Sequence, residues 1–411
     1  MSEETKKAPA IRFQGFTDDW EQRKLGELLT EVKRPIKMKD DESYELVTVK
    51  RRNEGIVSRG IFKGKDVLVN SQFQIKTGDY LISKRQVVHG ANGIVPNHLN
   101  NAIVSNEYLV SIGNKNITTD FLSIISRLPS MYRKFFLSSY GIDIEKLVFN
   151  VEDWKKRTIQ VPGISEQNQI TTFFNQLDNT IALHQRKVTL LKRLKEAYLT
   201  RMLPQNSENI PLLRFADYFD PWEQRKFEDL AESFNYGLNA SAMEFDGENK
   251  YIRITDIDEY SHRFIQSGLT SPNTDLSNAN DYLLKEGDIL FARTGASVGK
   301  SYQYDPLDGK VYYAGFLIRA RIKPEFDSSF IFQNTLTEKY NNFIKITSQR
   351  SGQPGVNAQE YANFSIMVPS IGEQVKLGNF FKQLDNAIAL HQCKIEKLAE
   401  AKKVLLAAMF V

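Results

Sequence analysis

The chain lacks the residues and patterns on which most enzymatic and membrane functions depend. Its single cysteine in 411 residues excludes an internal disulfide and a zinc site built from cysteines. The five histidines are dispersed without the spacing of metal ligands. No apolar run approaches the ~20 residues that a membrane-spanning helix needs, and the first residues carry no apolar stretch of a secretory signal. We therefore expect a cytoplasmic protein.

Three enzymatic motifs are missing or incomplete. No Pro-Pro pair occurs, whereas a methyltransferase acting on a base amine would need an Asn-Pro-Pro-aromatic or Asp-Pro-Pro-aromatic loop. The tripeptide 308–310 is a lone Asp-x-Lys without a second acidic partner for a nuclease. The loop 295–301 has three residues between its glycines where a Walker A loop has four, and no helix is predicted after it, so it is interpreted as a Gly-rich hairpin tip. We predict no catalytic residue, metal site or cofactor in this chain.

An excess of charge is also missing. The formal net charge is +4, from 54 basic and 50 acidic residues. A protein that neutralises many phosphates alone would usually be more basic. Either the basic residues are concentrated on one face, or a partner supplies part of any phosphate contact.

What the chain has instead is an internal repeat. Segments 12–28 and 214–230 share the run Trp-Glu-Gln-Arg-Lys, and segments 173–185 and 380–392 share Phe-Phe-x-Gln-Leu-Asp-Asn. Between these matched ends the two copies diverge. A duplicated frame around two different inserts suggests one scaffold that presents two different readers, related by a pseudo-two-fold axis.

Each insert is predicted to be rich in short strands. The expected strands are 44–49, 79–83 and 107–112 in the first block, followed by a helical run over 120–136, and 250–255, 286–293 and 316–320 in the second. The tryptophan that opens each block, with Leu25 and Phe227 after it, is expected in the core, although a partner-docking role stays open. The two blocks are thus expected to share a fold and to differ in their loops.

A long helix is predicted after the Val-Pro pair that ends each block. A heptad repeat runs over four heptads in both copies, with seam residues Leu177, Ile181, His184, Val188, Leu191, Leu384, Ile388, His391, Ile395 and Leu398. The histidines are interpreted as polar residues that set the register, and Cys393 is expected to be exposed. Two amphipathic helices packed separately on their own domains remain an alternative. Under a two-fold axis perpendicular to the helices the pair would be antiparallel, and a helix over 165–203 would span about 55–60 Å.

The predicted fold class is therefore α+β: two β-rich domains with small helices, pseudo-two-fold related, separated by two long antiparallel coiled-coil helices. The predicted boundaries are 1–160 for the first domain, 161–205 for the first helix, 206–367 for the second domain and 368–411 for the second helix.

Basic and polar residues recur at equivalent places of the two blocks, after predicted strands. The candidate DNA-binding residues are Lys50, Arg51, Arg52, Lys84, Arg85, Arg253, Thr255, Arg293, Thr294, Ser297, Lys300, Arg350 and Gln353. Arginine can bind guanine and glutamine adenine in the major groove, and lysine can hold phosphates. Each cluster taken alone is more often a solvated surface, but recurrence in two divergent copies favours a binding face.

Together these features resemble the specificity subunit of type I restriction–modification systems. Four elements carry the resemblance over nearly the whole chain: the Trp-Glu-Gln-Arg-Lys segment, the Gly-Asp-hydrophobic strands (Gly78-Asp79 and Gly287-Asp288), the Val-Pro exit and the Phe-Phe-x-Gln-Leu-Asp helix. The first block departs from the family's frequent Arg-x-Gly tip. It has Lys84-Arg85-Gln86 where the second block has Arg293-Thr294-Gly295.

The resemblance implies a function without catalysis. Each block would be a target recognition domain that reads one half of a split DNA sequence, and the helices would fix the spacer between the halves. The chain would bind two methyltransferase subunits that use S-adenosylmethionine, and restriction subunits that use ATP and Mg. Two alternatives remain: a coiled-coil scaffold that assembles partners without reading DNA, and a self-sufficient nuclease or NTPase.

Overall fold

The computed structural model describes residues 8–69, 72–204, 208–349 and 352–410. The chain forms two compact units: unit 1 comprises Met1–Leu183 with Ile395–Val411, and unit 2 comprises His184–Lys394. Each unit therefore contains one β-rich block and a portion of both long helices. In the described ranges, no helix combines the length and the apolar character needed to span a membrane.

The strands of the first block are short. They are β1 (Glu21–Lys24), β2 (Leu29–Glu31), β3 (Pro35–Ile36), β4 (Ser43–Val49), β5 (Ile56–Lys63), β6 (Gln72–Gln74), β7 (Tyr80–Ser83), β8 (Asn92–Ile94), β9 (Ile103–Ser105), β10 (Tyr108–Gly113), β11 (Ser139–Tyr140), β12 (Val148–Phe149) and β13 (Thr158–Val161). The helices are α1 (Leu25–Leu28), α2 (Thr119–Ile125), α3 (Pro129–Leu137), α4 (Val151–Lys156) and the first long helix α5 (Ile164–Met202).

Among its described residues, the strands of the first block form four sheets. A four-stranded sheet has the order β2-β10-β7-β8, and a five-stranded sheet has the order β3-β6-β9-β4-β5. Strands β11 and β12 form a hairpin. Strand β1 pairs antiparallel with β13, so the first and the last strand of the block lie side by side.

The second block has a similar element order. Its strands are β14 (Glu223–Lys226), β15 (Ala231–Tyr236), β16 (Ser241–Glu244), β17 (Lys250–Ile252), β18 (Thr270–Asn273), β19 (Asp288–Ala292), β20 (Ser301–Gln303), β21 (Val311–Tyr313), β22 (Leu317–Ile322) and β23 (Ser365–Val368). Its helices are α6 (Phe227–Leu230), α7 (Ser328–Asn334), α8 (Glu338–Thr347), α9 (Ala358–Ala362) and the second long helix α10 (Ile371–Ala408).

The main sheet of unit 2 repeats that of unit 1. Its order is β15-β22-β19-β20, the counterpart of β2-β10-β7-β8. Strand β17 pairs parallel with β21, as β4 pairs parallel with β9, and β14 pairs antiparallel with β23. The second sheet differs, because unit 1 has five strands there and unit 2 has the separate pairs β16-β18 and β17-β21. The prediction of a shared fold with divergent outer parts is confirmed.

Two predicted elements need correction. The helical run expected over 120–136 is two helices, α2 and α3, because Pro129 begins the second and the preceding Leu128 is extended. The strand expected over 250–255 ends at Ile252. The Asp256 carboxylate accepts a hydrogen bond from the Arg253 backbone N–H at 2.9 Å, which folds the chain into a tight turn at 254–256.

The Trp-Glu-Gln-Arg-Lys segments anchor each block. Trp20 and Trp222 are 4% and 3% exposed, and Leu25 and Phe227 are fully buried. Trp20 packs edge-on against Phe121 in one core, and its counterpart Trp222 packs on Phe330 in the other. The predicted core role is confirmed, and the repeated sequence is explained by a repeated packing site.

A buried ion pair fastens the start of each block to the first turn of its long helix. Arg12 donates two hydrogen bonds to Glu166, at 2.7 and 2.8 Å, and Arg214 does the same to Glu373, at 2.8 Å each. Both carboxylates are 1% exposed. These hydrogen bonds raise the pKa of both arginines, and the helix dipole also favours a carboxylate in a first turn.

The long helices pair antiparallel inside each unit. In unit 2, Lys195 Nζ lies 2.6 Å from Asp385 Oδ1, and His184 contacts His391. In unit 1, Lys402 bonds Asp178. The predicted seam positions are buried or half-buried, with Val188 and Ile388 each 8% exposed, while leucines between them are exposed. The coiled-coil prediction is confirmed, and the alternative of separately packed helices is wrong. Cys393 is exposed, as expected.

Replacing Glu166 by glutamine should destabilise unit 1. The change leaves the Arg12 guanidinium without its counter-charge, and breaking a buried pair typically costs ~3–5 kcal/mol. Since Arg12 is 15% exposed, we expect a somewhat smaller loss, roughly 2–4 kcal/mol, in the free energy of unfolding measured in urea. The matched control is Glu21→Gln, which removes an exposed pair with Arg23 and should cost under about 1 kcal/mol. Equal losses in the two variants would contradict the proposed anchor.

Candidate nucleic-acid interface

One cleft of unit 2 gathers three of the predicted residues. Arg253, Thr255 and Arg293 line a cleft of about 670 Å³. Arg253 and Thr255 follow strand β17, and Arg293 follows β19, so the ends of two strands carry them to the same place. We call this the unit 2 cleft.

Arg293 is held against an aromatic ring. Its guanidinium lies 4.9 Å from the centroid of the Tyr236 ring, which is a cation–π contact, and Nη1 donates a long hydrogen bond of 3.5 Å to the Gly315 carbonyl. Tyr236 and Phe316 line the same cleft and are 44% and 63% exposed. An arginine oriented by a ring, with most of its N–H donors uncommitted among the described residues, can form two parallel hydrogen bonds to a planar acceptor.

Arg253 is oriented differently. Its Nε and Nη2 donate to the two oxygens of Asp256 at 2.8 and 3.0 Å, and the hydrogen bond raises the pKa of Arg253. Thr255 Oγ1 donates to the same carboxylate at 3.2 Å. Because the fork of Arg253 is occupied, this arginine suits a single contact to a phosphate better than bidentate binding of a base.

The loop around Gln353 lies against the hairpin that carries Arg293. The Gly295 backbone N–H donates to the Pro354 carbonyl at 3.0 Å, and Thr294 Oγ1 donates to the same carbonyl at 3.4 Å. Gly295 has φ +82°, and a Cβ there would lie 3.3 Å from Gln353 Nε2. Glycine is therefore required where the two loops meet. Arg350 lies outside the described residues.

Ser297 and Lys300 are not brought to the unit 2 cleft. They line another cleft of unit 2, of about 500 Å³, together with Lys192 and Lys195. Lys300 Nζ donates to the Ile257 carbonyl at 3.1 Å and pairs with Glu259 at 2.9 Å, and it is 11% exposed. The Gly-rich segment joins β19 to β20 as the predicted hairpin.

The backbone of this hairpin is not arranged as a phosphate cradle. The N–H groups of Val298, Gly299 and Lys300 donate to the carbonyls of Gly295, Ala292 and Ser297 within the same hairpin. A phosphate-binding loop instead directs its N–H groups at the ligand.

In unit 1 the turns after β4 and β7 lie side by side. The Arg52 and Asn53 backbone N–H groups donate to the carbonyls of His89 and Gly90 at 2.7 and 2.9 Å. Arg52 and Asn53 both have positive φ, 59° and 55°. Such strained backbone is often found at binding sites. Arg51, Arg52, His89, Arg127 and Tyr132 line a cleft of about 590 Å³, which we call the unit 1 cleft.

The basic side chains of unit 1 are largely paired within the unit. Arg51 bonds Glu145 and Gln86 at 2.8 and 2.7 Å. The other contacts are Arg85 to Glu107 at 2.9 Å, Lys84 to the Asn106 carbonyl at 2.6 Å and Lys50 to Glu54 at 3.9 Å. Lys84 and Arg85 do not line the unit 1 cleft. The structure thus brings Arg51 and Arg52 together and leaves the other three outside.

The Gly-Asp motif has a structural role. Asp79 and Asp288 are buried, and each accepts a hydrogen bond at 2.8 Å from the backbone N–H three residues earlier. Each also forms two hydrogen bonds with an arginine, Arg34 in unit 1 and Arg321 in unit 2. These contacts fix the start of β7 and β19, the strands that lead to the predicted binding residues.

Several cleft residues were not predicted from the sequence. Tyr236 and Phe316 in unit 2 and Arg127 and Tyr132 in unit 1 line the clefts. Their aromatic or basic character alone does not separate them from the 26 Phe, the 17 Tyr and the 54 Lys and Arg of the chain. Their exposure is the distinguishing feature, and it depends on tertiary packing.

Comparison with known proteins decides the family. Residues 17–193 and 220–400 each match the family described as the type I restriction modification DNA specificity domain. The chain belongs to this family. The two matches cover most of the chain and include both repeats, as expected for a duplicated frame.

Relatives within the specificity family are distant. The type I restriction enzyme MjaVIII specificity subunit of Methanocaldococcus jannaschii is 20% identical over 409 residues, which cover 95% of this chain and 91% of that subunit. The type I restriction enzyme HindI specificity subunit of Haemophilus influenzae is 25% identical over 186 residues, which cover 44% of this chain and 39% of that subunit.

Solved structures show the same fold. The S subunit of a type I restriction–modification system from M. genitalium matches with a TM-score of 0.66 at 13% identity, covering 98% of this chain and 99% of that one. Another solved chain matches with a TM-score of 0.50 at 16% identity, covering 95% of this chain and 96% of that one. Its structure is described as the structural basis underlying complex assembly and conformational transition of the type I system.

Membership in the specificity family confirms the resemblance drawn from the sequence motifs. Specificity subunits recognise DNA and are non-catalytic, and the family is not known to carry cofactors. The contacts of individual residues with DNA stay predictions.

Replacing Arg293 by alanine should relax one base position of the half-site read by unit 2. Loss of a bidentate base contact costs ~1–3 kcal/mol, which is about 5- to 150-fold in affinity for the target duplex. The measurement is binding to the target and to its single-base variants. Arg225→Ala is the matched control, since Arg225 is exposed on β14 and bonds Glu223 outside the cleft. A uniform loss across all duplexes would make Arg293 a phosphate contact instead.

Proposed function

We propose that each unit reads one half of a split DNA sequence, and that the chain directs partner subunits to that sequence. The observation that carries the proposal is the repetition of one frame with two different clefts. The ends of β4 and β7 carry the cleft of unit 1, and the ends of β17 and β19 carry the cleft of unit 2 with different side chains. A shared frame with different clefts suits the recognition of two unrelated half-sites.

The unit 2 cleft is proposed to read bases directly. Arg293 would bind guanine O6 and N7 through its available donors. Gln353 does not line the cleft, and it would pair with adenine from the loop that lies against the Arg293 hairpin. Arg253, held by Asp256, and Thr255 would position the DNA backbone. In unit 1 the corresponding proposal rests on Arg51 and Arg52, with Arg127 added from the geometry of the cleft.

The long helices are proposed to set the spacer between the half-sites. Helix α5 has 39 residues and α10 has 38, so each is nearly 60 Å long at ~1.5 Å per residue. Both helices contribute to both units. A rigid helix pair would keep the number of unread base pairs constant.

The partners are proposed to be two methyltransferase subunits and the restriction subunits of a type I system. S-adenosylmethionine would bind to the former, and ATP and Mg to the latter. Family membership supports a complex, and a solved chain of similar fold comes from a study of complex assembly. The mild net charge of +4 also suits a protein that shares its DNA contacts with partners. A scaffold that does not read DNA is the weaker alternative, because the matched family is a DNA specificity domain.

The proposal is tested by mapping methylated adenine across the genome of the source strain, with and without this gene. Loss of one split motif on deletion is the expected result, and it would give both half-sites and the spacer. If no motif is lost, co-purification of a methyltransferase with the chain separates an inactive system from a wrong proposal, because absence of any such partner would count against the proposed function.

Exchanging residues 12–160 for the corresponding block of another family member should change only one half of the methylated motif. Strands β1 and β13 close that block at its base, so the exchange leaves unit 2 and its cleft unaltered. The methylation map of the exchanged strain is the measurement, and the wild-type second half is its internal control. A change in both halves, or in neither, would contradict the modular arrangement.

A further inference from the structure

Two histidines face each other across the helix pair of unit 2. His184 and His391 occupy equivalent positions of the two repeats. Their Nδ1 atoms lie 3.0 Å apart, their ring centroids 5.0 Å apart, and the ring planes differ by 34°. Both side chains are half-buried in the seam, beside the buried Val188 and Ile388. At this distance the Nδ1–H of one ring donates a hydrogen bond to the Nδ1 of the other, and a metal ion that takes the place of that proton would bind both nitrogens.

We propose that His184 and His391 form a two-imidazole site for a divalent transition-metal ion of the Cu²⁺, Ni²⁺ and Zn²⁺ class. Bonds from such ions to histidine nitrogen are ~2.0–2.1 Å long. Two of these bonds at a right angle place the nitrogens about 2.9 Å apart, and at a tetrahedral angle about 3.4 Å apart. The observed 3.0 Å lies within this range. Small rotations of the half-exposed rings would aim both lone pairs at one ion, and water would complete the coordination.

The surroundings restrict the class of ion. Lys187 and Lys394 place positive charge near His391. Hard cations such as Mg²⁺ and Ca²⁺ prefer oxygen ligands, so this site offers them neither ligand nor charge. Imidazole suits copper, nickel and zinc, whose bonds to nitrogen can outweigh the repulsion between the ion and the two lysines. Among these ions, Cu²⁺ should bind most tightly.

An ion held here would link residues 184–202 to residues 371–394 within unit 2. An ion that binds only when the helices are paired stabilises that pairing by RT ln(1 + [ion]/Kd), so the effect grows with the logarithm of the ion concentration above Kd. The inference concerns the seam and does not depend on the proposed DNA recognition.

The test is titration of the full chain, prepared without a polyhistidine tag, with CuSO₄, NiCl₂, ZnCl₂ and MgCl₂, followed by calorimetry. We expect one ion per chain for the first three salts and none for MgCl₂. All proteins carry Cys393→Ser, which removes the exposed thiol as a competing ligand. Cys393 is two positions from His391 and so does not share its helix face.

His184→Gln and His391→Gln should each lower the affinity at least tenfold. The matched control is His98→Gln, because His98 is exposed on a short turn of unit 1 and should not change binding. Electron paramagnetic resonance of the Cu²⁺-loaded parent should show coupling to two imidazole nitrogens, and this readout does not depend on a variant that folds. Absence of binding, affinity unchanged by both seam variants, or coupling to fewer than two nitrogens would each overturn the proposal.

Discussion

The pairing of the first and last strand of each block is the constraint on which the rest of the structure depends. Glu21 lies opposite Val161, and Glu223 lies opposite Val368, with the same antiparallel register in the two units. Once the two ends of a block are held side by side, the chain between them can change length and sequence without displacing the long helix that follows. This accounts for near-identical ends around widely divergent inserts.

The aspartate of the repeated helix motif explains why the helices are antiparallel. In the observed arrangement Asp385 meets Lys195 and Asp178 meets Lys402. A parallel pair in register would instead place equivalent residues opposite each other, aspartate against aspartate and lysine against lysine. Like charges at a partly buried seam are costly, so the repeat itself favours the antiparallel arrangement over the parallel one. His184 and His391 are equivalent residues that do meet, and a neutral histidine pair tolerates that contact because one ring donates and the other accepts.

The elements with a periodic pattern of apolar residues were predictable from the sequence. The ion pairs and hydrogen bonds between distant side chains were not. The seam from Leu177 to Leu191 followed from the heptad repeat, and the break at Pro129 could have been read from the sequence. The contacts Arg51 to Glu145 and Lys300 to Glu259 join residues far apart in the chain. A list of basic residues does not reveal them, because sequence gives the charge of a side chain and not the acid beside it.

The same contacts distinguish the two candidate clefts in physical terms. In unit 2, Arg293 rests on the Tyr236 ring and keeps most of its donors available, so it can meet a base with little loss of existing contacts. In unit 1, Arg51 is already bonded to Glu145, and DNA would have to replace that pair. An exposed pair of this kind is worth at most about 1 kcal/mol, so its replacement is feasible only where a new acceptor takes the place of the carboxylate. Under the proposed function, unit 1 would discriminate between DNA sequences partly through the Arg51–Glu145 pair that it loses on binding. Unit 2 would discriminate through the new contact between Arg293 and a base.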